Sequence, residues 1–327
     1  MELVEFGADD TAHVDAFLAL TQAMDAADCP WEPVRTRFRQ VCYMRHSWEG
    51  EPGRWFLGYD GHEPVGTAVL DASDYDNLEM AWFTLRVGPA YRRRGHGTWL
   101  LHELEAQAIA AGRTLLGMDG WDTPALHAFA ASTGYGRKSA EIRRVQVVAE
   151  APELTPIREE AARFAGDYEL QRFDGYTPDD LLPALAELTA AINDAPFDDL
   201  EWEDEVYSPE RVRAYERAQI ESGYRVRRIV ARHRPTGELA GHTVTVVDEE
   251  DPANAEQHDT SVVRAHRGHR LGLLLKTEML GWLADEEPQV ERVFTNNAES
   301  NRHMIAVNER LGYRPAGRSL EFQRRLR

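Results

Sequence analysis

The sequence has few of the features that mark secreted, membrane-spanning or metal-binding proteins. Its 327 residues include two cysteines, Cys29 and Cys42, which are too few for a disulfide framework and lack metal-ligand spacing. The sequence contains no run of 18 apolar residues, so we expect no transmembrane helix. The acidic N-terminus, residues 1–5, lacks the basic and apolar regions of a signal peptide. We therefore expect a cytoplasmic protein without a metal site.

Positive charge is also scarce. The chain has 37 Lys and Arg against 56 Asp and Glu, a formal net charge of −19. Nucleic-acid binding needs basic surface that displaces counterions from phosphates, so a nucleic-acid partner is disfavoured, as is an anionic membrane surface. The balance is compatible with a cationic small-molecule substrate such as an amine, although solubility explains it equally well.

Two segments of the chain, 85–101 and 260–276, resemble each other. Each is a β-rich run, then a basic and glycine-rich turn, then an amphipathic helix. Arg92 of the first turn and Arg267 of the second are 175 residues apart, and a Gly-Tyr pair downstream of each turn recurs at an offset of 178. Landmarks that keep their order at a nearly constant offset indicate a duplicated domain.

The hydrophobic periodicity predicts a mixed α/β fold for each copy. A strand leads to two helical regions (11–25 and 31–44 in copy one), and three strands, the glycine turn, a helix, a strand, a helix and final strands follow. Glu150 to Pro156 has the composition of a linker. We predict a first domain over 1–150, a linker over 151–166 and a second domain over 167–327.

The glycine turns have the composition of a phosphate-binding loop. A turn between a strand and a helix places unpaired backbone N–H groups and the positive end of the helix dipole together, and glycine allows a phosphate oxygen to approach. Gly95 and Gly97 supply that space in copy one, and Gly268 and Gly272 in copy two. Neither turn is a Walker A loop or a complete G-x-G-x-x-G motif, so a nucleoside triphosphate or dinucleotide is not the expected ligand.

Arg92-x-x-Gly95-x-Gly97 matches the Arg/Gln-x-x-Gly-x-Gly/Ala signature of the GNAT (GCN5-related N-acetyltransferase) family, which cradles the pyrophosphate of CoA. Copy two resembles this signature but has Arg270 where the first glycine normally stands, and Gly268 compensates in part. The resemblance implies two GNAT acyl-CoA N-acyltransferase domains in tandem. The layout is similar to the mycothiol synthase branch, in which both halves can hold acetyl-CoA and the C-terminal half is catalytic.

The resemblance further implies that acetyl-CoA is the cosubstrate, bound by the strand end, the turn and the first turn of the helix. The residues expected to bind it are Leu85, Val87, Arg92, Arg93, Arg94, Gly95, His96, Gly97 and Thr98 in copy one, and Thr260, Val262, Arg267, Gly268, His269, Arg270, Leu271, Gly272, Leu273 and Asn301 in copy two. Asn301 is expected to contact the CoA arm. Asn308 stands where the family has a tyrosine that protonates the leaving thiolate, so water or another residue must do so. The turn histidines, His96 and His266, are expected to contact phosphate or solvent.

A general base must take a proton from the incoming ammonium. Glu256 is our first candidate, since the family often has a glutamate on this strand, and Asp259 and His258 lie close by. Glu79 is the counterpart in copy one. A solvated acidic loop explains the charged residues of copy two about as well.

The acidic segment 194–205 falls where the family's substrate-binding helices lie. It would attract a cationic amine, and Trp202 and Trp31 would line the acceptor cleft. A solvated loop and ordinary core tryptophans are the alternatives.

We therefore predict an N-acetyltransferase that moves the acetyl group of acetyl-CoA to a primary amine of a small molecule by direct attack. Copy two is the expected catalytic half. The alternative is a non-catalytic protein that binds acyl-CoA for regulation, which the missing tyrosine favours and the well-formed glycine turns disfavour.

Overall fold

The chain folds into two compact units, and each unit takes residues from more than one stretch of the sequence. The computed structural model describes residues 1–326, so Arg327, the last residue of the predicted second domain, lies outside it. Unit 1 consists of Met1–Glu141, Phe197–Asp204 and the chain from Gly317 onward, and unit 2 consists of Ile142–Pro196 and Glu205–Ala316. Each unit combines helices with a mixed sheet, so the predicted fold class is confirmed.

Unit 1 is a sheet with the strand order β1-β2-β3-β4-β5-β12. Its elements are β1 (Glu2–Phe6), α1 (Thr11–Asp28), α2 (Arg37–His46), β2 (Arg54–Asp60), β3 (Glu63–Asp71), β4 (Met80–Val87), α3 (His96–Ala110), β5 (Leu115–Trp121), α4 (Pro124–Thr133), the first half of β6 (Gly136–Val147) and most of β12 (Arg314–Arg325). Strands β4 and β5 pair in parallel, and the other neighbours in this order pair antiparallel. The parallel pair is joined through α3, so the glycine turn lies at the carboxyl end of β4.

Unit 2 repeats this plan with the strand order β6-β11-β10-β9-β8-β7. Its elements are α5 (Leu154–Ala162), β7 (Tyr168–Asp174), α6 (Leu182–Thr189), α7 (Pro209–Glu221), β8 (Tyr224–His233), β9 (Leu239–Asp248), β10 (Asn254–Val262), α8 (Leu271–Glu286), β11 (Arg292–Ala298) and α9 (Arg302–Arg310). The parallel pair here is β10 and β11, joined through α8. The duplication predicted from the sequence is therefore present as two sets of strands and helices with the same order along the chain.

Local chemistry explains where the predicted helix boundaries moved. The helix predicted over 31–44 begins only at Arg37, since Pro33 cannot continue a helical backbone and Thr36 caps the first turn. The Thr36 hydroxyl accepts a hydrogen bond from the backbone N–H of Arg39 at 3.2 Å. Helix α1 similarly begins after Asp10, whose side chain accepts from the backbone N–H of His13.

The helix that follows each glycine turn packs its apolar stripe on the sheet, as the sequence predicts. Leu100, Leu101 and Leu104 of α3 are fully buried. Lys276 of α8 stands at the position of Leu101, 175 residues later, and its side chain is also buried, with 1% of the residue exposed. Its Nζ lies 4.9 Å from the centre of the Tyr313 ring. Burial lowers the pKa of the Lys276 amine to about 7.

Because the pKa of Lys276 is lower in the folded than in the unfolded chain, the unfolded state binds more protons between about pH 7 and pH 10.5, and folding is more stable as the pH rises through this range. Lys276→Leu, which restores the residue of the first copy, should therefore raise the free energy of unfolding by on the order of 4 kcal/mol at pH 6. The gain should shrink as the pH rises from 7 to 10.5. Urea unfolding of both proteins across this range measures it.

Lys138→Leu is the matched control, because Lys138 is half-exposed. This control should not reproduce the gain in stability expected of Lys276→Leu at pH 6. A Lys276→Leu protein that is no more stable than the wild type at pH 6 would contradict a buried, destabilising charge.

No helix among the described residues is both long enough and apolar enough to cross a membrane.

Candidate functional site

The two glycine turns have the same backbone conformation although their glycines differ in position. Each contains a 3₁₀ turn, Pro89–Tyr91 in unit 1 and Arg264–His266 in unit 2. Two residues of each loop then adopt a positive φ. They are Arg93 (63°) and Gly95 (87°) in unit 1, and Gly268 (88°) and Arg270 (55°) in unit 2. Arginine and glycine have exchanged places, so the departure from the family signature at Arg270 leaves the backbone path unchanged.

Alternating backbone conformations of this kind turn successive N–H groups to one side and favour anions. The first turn of each following helix is open as well. A Cβ added at Gly95, Gly268 or Gly272 would meet no atom within 4 Å, and one at Gly97 would meet Phe129 at 3.4 Å. Both loops therefore present unobstructed backbone donors at a helix N-terminus.

The signature arginine of each loop makes the same contacts in both units. Arg92 donates from Nε to the carbonyl of Val87 at 3.0 Å, and its two terminal nitrogens donate to Asp28 at 2.9 and 2.6 Å. Arg267 donates from Nε to the carbonyl of Val262, also at 3.0 Å. Each arginine thus ties its loop to the end of the preceding strand.

A carboxylate at the end of a helical segment completes the arrangement in unit 2. Asp194 accepts from Arg264 at 2.6 Å and from Arg267 at 2.7 Å. Hydrogen bonds from these two arginines lower the pKa of the Asp194 carboxyl. Since the guanidinium groups of Arg92 and Arg267 already bind carboxylates, contact between these loops and a phosphate falls chiefly to the backbone N–H groups.

The remaining cations differ between the loops. Arg93 and Arg94 are exposed, and neither forms an ion pair with any residue from 1 to 326. In unit 2 the guanidinium of Arg270 hydrogen-bonds Glu160 and lies 4.2 Å from the Phe164 ring centre. Unit 1 therefore has free positive charge beside its loop, and unit 2 has charge that is already paired.

The loop histidines are buried instead of facing phosphate or solvent as expected. His96 is 5% exposed, and its Nδ1 lies 3.1 Å from the sulfur of Met1. His266 is 8% exposed, and its Nδ1 lies 3.1 Å from the Tyr168 hydroxyl. Burial is the first cause of the lowered pKa of His266. His269 is exposed, and its Nδ1 lies 3.3 Å from the carbonyl of Phe164.

The parallel strands beside each loop pair over only part of their length. In unit 1 the register runs from Met80↔Leu115 to Phe83↔Met118, although β4 continues to Val87. Leu85 and Val87, which are predicted to bind acetyl-CoA, lie beyond the paired part of β4. Thr98, also predicted to bind it, is an exposed residue in the first turn of α3. An opening between the strands thus leads to the loop.

The parallel register of unit 2 ends in the same way. It runs from Asn254↔Arg292 to Glu256↔Phe294, and β10 continues to Val262. Thr260 and Val262 lie in the continuing part, while Leu271 and Leu273 at the start of α8 are buried in the core. Peptide groups on this edge of β10 are available to a ligand.

A β-bulge distinguishes unit 2 from unit 1. In the β9–β10 pair, Gln257 is opposite Thr245 and Thr260 is opposite Thr243, so β10 has one extra residue. The corresponding β3–β4 register in unit 1 is regular from Asp71↔Trp82 to Gly66↔Val87. Bulges redirect peptide groups and side chains and are common next to active sites. This one lies where β10 separates from β11.

A hydrogen-bonded network of polar side chains, buried except for the half-buried Asp259, surrounds the bulge. Asp259 Oδ2 lies 2.6 Å from His242 Nε2 and accepts from the Ser261 hydroxyl at 3.2 Å. Arg228 lies 3.0 Å from His242 Nδ1. A guanidinium can only donate, so His242 Nδ1 accepts from Arg228, and the protonated Nε2 donates a hydrogen bond to Asp259. Asp259 Oδ1 is buried and has no hydrogen-bond partner among residues 1–326.

The other predicted bases are placed differently. Both terminal nitrogens of Arg143 bind the Glu256 carboxylate, one of them at 2.9 Å. His258 Nδ1 lies 2.6 Å from the Tyr215 hydroxyl, and burial lowers the pKa of His258 to about 3. Glu79 precedes β4 at the end far from the loop, where Arg325 binds it at 2.7 Å and lowers its pKa. Of these groups, Asp259 alone has a buried carboxylate oxygen without a partner in the described chain.

The asparagines singled out in copy two have structural partners. Asn301 caps α9, and its Oδ1 accepts from the backbone N–H of Met304 at 3.1 Å. Asn308 is fully buried and donates to Asn297 Oδ1 at 2.6 Å. A contact between Asn301 and the CoA arm remains a prediction.

Carboxylates collect on the face of the unit 1 sheet opposite α3. Phe83 packs with α3, so the alternation of the strand puts Trp82 and Thr84 on the other face. There both donate to Asp119 Oδ1, at 2.8 and 3.4 Å. Burial raises the pKa of Asp119, and burial together with the charge of Asp119 raises the pKa of Asp71 to about 6.

A third carboxylate and several aromatic rings complete this face. Burial and the neighbouring Glu141 raise the pKa of Glu321 to about 7. Trp202 lies 6.3 Å from Trp82 between ring centres, and Trp31 lies 5.4 Å from Trp121. The structure therefore brings Trp31 and part of the acidic segment, Phe197–Asp204, into unit 1, whereas Asp194 and Glu205 belong to unit 2.

Sequence reasoning missed His242, Arg228 and Ser261 of unit 2 and Asp71, Asp119 and Glu321 of unit 1. Polar residues at alternate positions of apolar strands were the available signal, as in His242 between Gly241 and Thr243. That signal does not say which strands are neighbours.

Comparison with known proteins agrees with this geometry. The family model described as Acetyltransferase (GNAT) family matches residues 20–135 and 191–313. A tandem GNAT protein from the clavulanic acid biosynthesis pathway, solved without acetyl-CoA, is 28% identical, with 99% of this chain and 98% of that chain covered at a TM-score of 0.81. A GCN5-related N-acetyltransferase from Sphaerobacter thermophilus shares the fold at 16% identity, with coverage of 99% and 96% and a TM-score of 0.72. No curated protein sequence matches the chain.

The positive φ of Arg93 predicts a difference between two neighbouring arginines. A left-handed conformation costs a residue with a Cβ about 1–2 kcal/mol. Substitution with glycine removes this cost, and the larger conformational entropy of glycine in the unfolded chain offsets only part of the gain in stability. Arg93→Gly should raise the free energy of unfolding by up to about 1 kcal/mol. Arg94→Gly, at a position without a positive φ, should lower it by about 0.5–1 kcal/mol. Chemical unfolding of both variants without acyl-CoA measures this. Equal effects would show that the loop does not hold Arg93 in the left-handed region.

Proposed function

Because the chain belongs to the GNAT acetyltransferase family as a tandem protein, we propose that it transfers the acetyl group of acetyl-CoA to a primary amine of a small molecule, and that unit 2 carries out the transfer. In this proposal the amine attacks the thioester directly, with no covalent intermediate on the protein. A thioester supplies an activated carbonyl and a thiolate leaving group. The chain must then bind the CoA diphosphate, polarise the carbonyl oxygen and remove a proton from the amine.

The β-bulge of β10, at the opening between β10 and β11, is the observation that carries the choice of unit 2. A thioester carbonyl in this opening would meet backbone N–H groups of β10 that are not used in pairing with β11. Fixed donors that face the developing oxyanion are usually the largest single contribution to such catalysis. The adjoining loop, residues 264–270, would bind the diphosphate through its backbone.

Asp259 is the proposed general base. Its Oδ2 is held by His242 and Ser261, and its Oδ1, which has no hydrogen-bond partner among residues 1–326, is the proposed acceptor of the amine proton. Because Oδ1 is buried, the side chain has to shift to meet the amine. His242 is a positioning residue, since it acts through Asp259. Asn308 donates a hydrogen bond where the family has an acidic hydroxyl, so a proton for the CoA thiolate comes from water in this proposal.

A second candidate places the transfer in unit 1, with a cationic amine as acceptor. The carboxylates of Asp71, Asp119 and Glu321 have raised pKa values on a face that also presents tryptophans. A bound ammonium group would offset this repulsion, and aromatic rings favour cations. The free Arg93 and Arg94 beside the loop of unit 1 add to its case as an acyl-CoA site.

Two loop variants separate these candidates. Gly272→Trp and Gly97→Trp place a large ring at the start of α8 or α3, where an added Cβ meets nothing closer than 3.4 Å, so both proteins should fold. In calorimetric titrations with acetyl-CoA, Gly272→Trp should lose binding at unit 2 and with it acetyl transfer. Gly97→Trp should retain transfer. If only Gly97→Trp abolished activity, the assignment of the transfer to unit 2 would be wrong, and the result would favour the second candidate, in which unit 1 acetylates a cationic amine.

Asp259→Asn should lower kcat by about 100-fold or more, as expected for removal of a general base, with acetyl-CoA affinity unchanged. Thiol release from acetyl-CoA with a panel of amino sugars, polyamines and amino acids provides the assay. Glu79→Gln is the exposed control and should retain activity. Full activity of Asp259→Asn together with loss in Glu256→Gln would move the base to Glu256. A wild type that binds acetyl-CoA but acetylates no amine would support the non-catalytic alternative.

A further inference from the structure

Three potential metal ligands meet in unit 2 beside the loop of residues 264–270. His233 ends β8, Glu238 lies in the turn that leads to β9, and His266 lies in the 3₁₀ turn of the loop. One ligand atom of each residue lies within 4.8 Å of the other two. The two imidazole ring centres are 4.9 Å apart. None of these side chains has a role in the proposed acetyl transfer.

Hydrogen bonds orient the rings so that the same nitrogen of each is available. The Thr236 hydroxyl donates its hydrogen to the Glu238 carboxylate at 2.9 Å. His233 Nδ1 lies 2.9 Å from the Thr236 hydroxyl oxygen, so Nδ1 is the donor in that hydrogen bond. In the neutral imidazole with this donor, Nε2 carries the lone pair that a metal ion would use. His266 Nδ1 lies 3.1 Å from the Tyr168 hydroxyl, and its Nε2 faces Glu238 at 3.8 Å. With Nδ1 as the donor to Tyr168, His266 Nε2 is a second free lone pair.

We propose that His233, Glu238 and His266 bind a divalent transition-metal ion of the zinc type. Two imidazoles and one carboxylate are a common ligand set for Zn²⁺, and nitrogen ligands disfavour Mg²⁺ and Ca²⁺. Tyr168 and Thr236 hold the Nδ1 atoms, as outer groups do at metal-bound histidines. Three protein ligands leave one position for water or an anion.

The site has to contract when the ion binds. Ligands at the usual zinc distances are about 3.3 Å apart in a tetrahedral site, whereas the present separations reach 4.8 Å. The Glu238 side chain is 67% exposed and has room to move inward, although it then has to lengthen or release the hydrogen bond from Thr236. His266 is held in the core by Tyr168 and provides the fixed side of the site.

A bound ion would add positive charge next to a loop whose arginines are already paired. Arg264 and Arg267 bind Asp194, and Arg270 binds Glu160. The bound ion would also link the turn of residues 234–238 to the loop of residues 264–270. The proposal concerns metal binding alone, so it stands or falls independently of the acetyl transfer.

The test is titration of chelator-treated full-length protein with Co²⁺, followed by visible absorption, and with Zn²⁺, followed by calorimetry. We expect about one ion per chain and a d–d absorption band typical of four-coordinate cobalt. Glu238→Gln and His233→Gln, which change partly exposed residues, should each weaken binding at least ten-fold. Tyr168→Phe should weaken it about ten-fold through the orientation of His266.

His127→Asn is the matched control, since His127 also lies beside a carboxylate, Asp122, but has no second histidine. It should bind the ion like the wild type. Absence of binding in the wild type, or equal binding by wild type, Glu238→Gln and His233→Gln, would overturn the proposal. Circular dichroism of each variant ensures that a loss reflects the ligand and not unfolding.

Discussion

The partial pairing of one pair of parallel strands is the constraint on which the functional geometry of each unit depends. In unit 1, β4 is bound to β3 up to Val87, while β5 is bound to β12 along its whole length, from Leu115 to Trp121. Strands β4 and β5 pair only from Met80↔Leu115 to Phe83↔Met118, and beyond Phe83 each strand is held by its other neighbour alone. The opening, the free strand edge and the loop at its end all follow from this separation.

The two units keep the same frame and have diverged in the side chains placed on it. Both retain the arginine that binds the carbonyl at the strand end and a carboxylate at the end of a helical segment. Unit 2 has a bulge and a network of His242, Asp259 and Ser261, whereas unit 1 has a regular strand and a group of carboxylates with raised pKa values. The two units therefore share the conformation of the loop and differ in the strand that leads to it and in the polar side chains beside it.

Several buried charges lack the partners that usually stabilise them. Lys276 occupies a core position that is leucine in the other unit, and burial alone lowers its pKa to about 7. Burial and the nearby charge of Asp119 both raise the pKa of Asp71, and no cation among the described residues offsets them. Arrangements of this kind cost folding free energy and concentrate at functional positions. In an ordinary ion pair, such as Arg225 with Glu287, each charge has a partner of opposite sign.

The sequence by itself determined the duplication, the order of elements and the two glycine-rich loops, because these depend on residues that are close in the chain. Periodicity marks a strand or a helix, and glycine and arginine mark the turn. Only the tertiary structure decided which side chains meet. Asp259 pairs with His242, which is on a neighbouring strand, and Glu256 is bound by Arg143, more than a hundred residues earlier. Most of β12, from Gly317 onward, lies in unit 1, and the second half of β6 lies in unit 2. No local pattern records such pairings, since they arise from packing between segments distant in sequence.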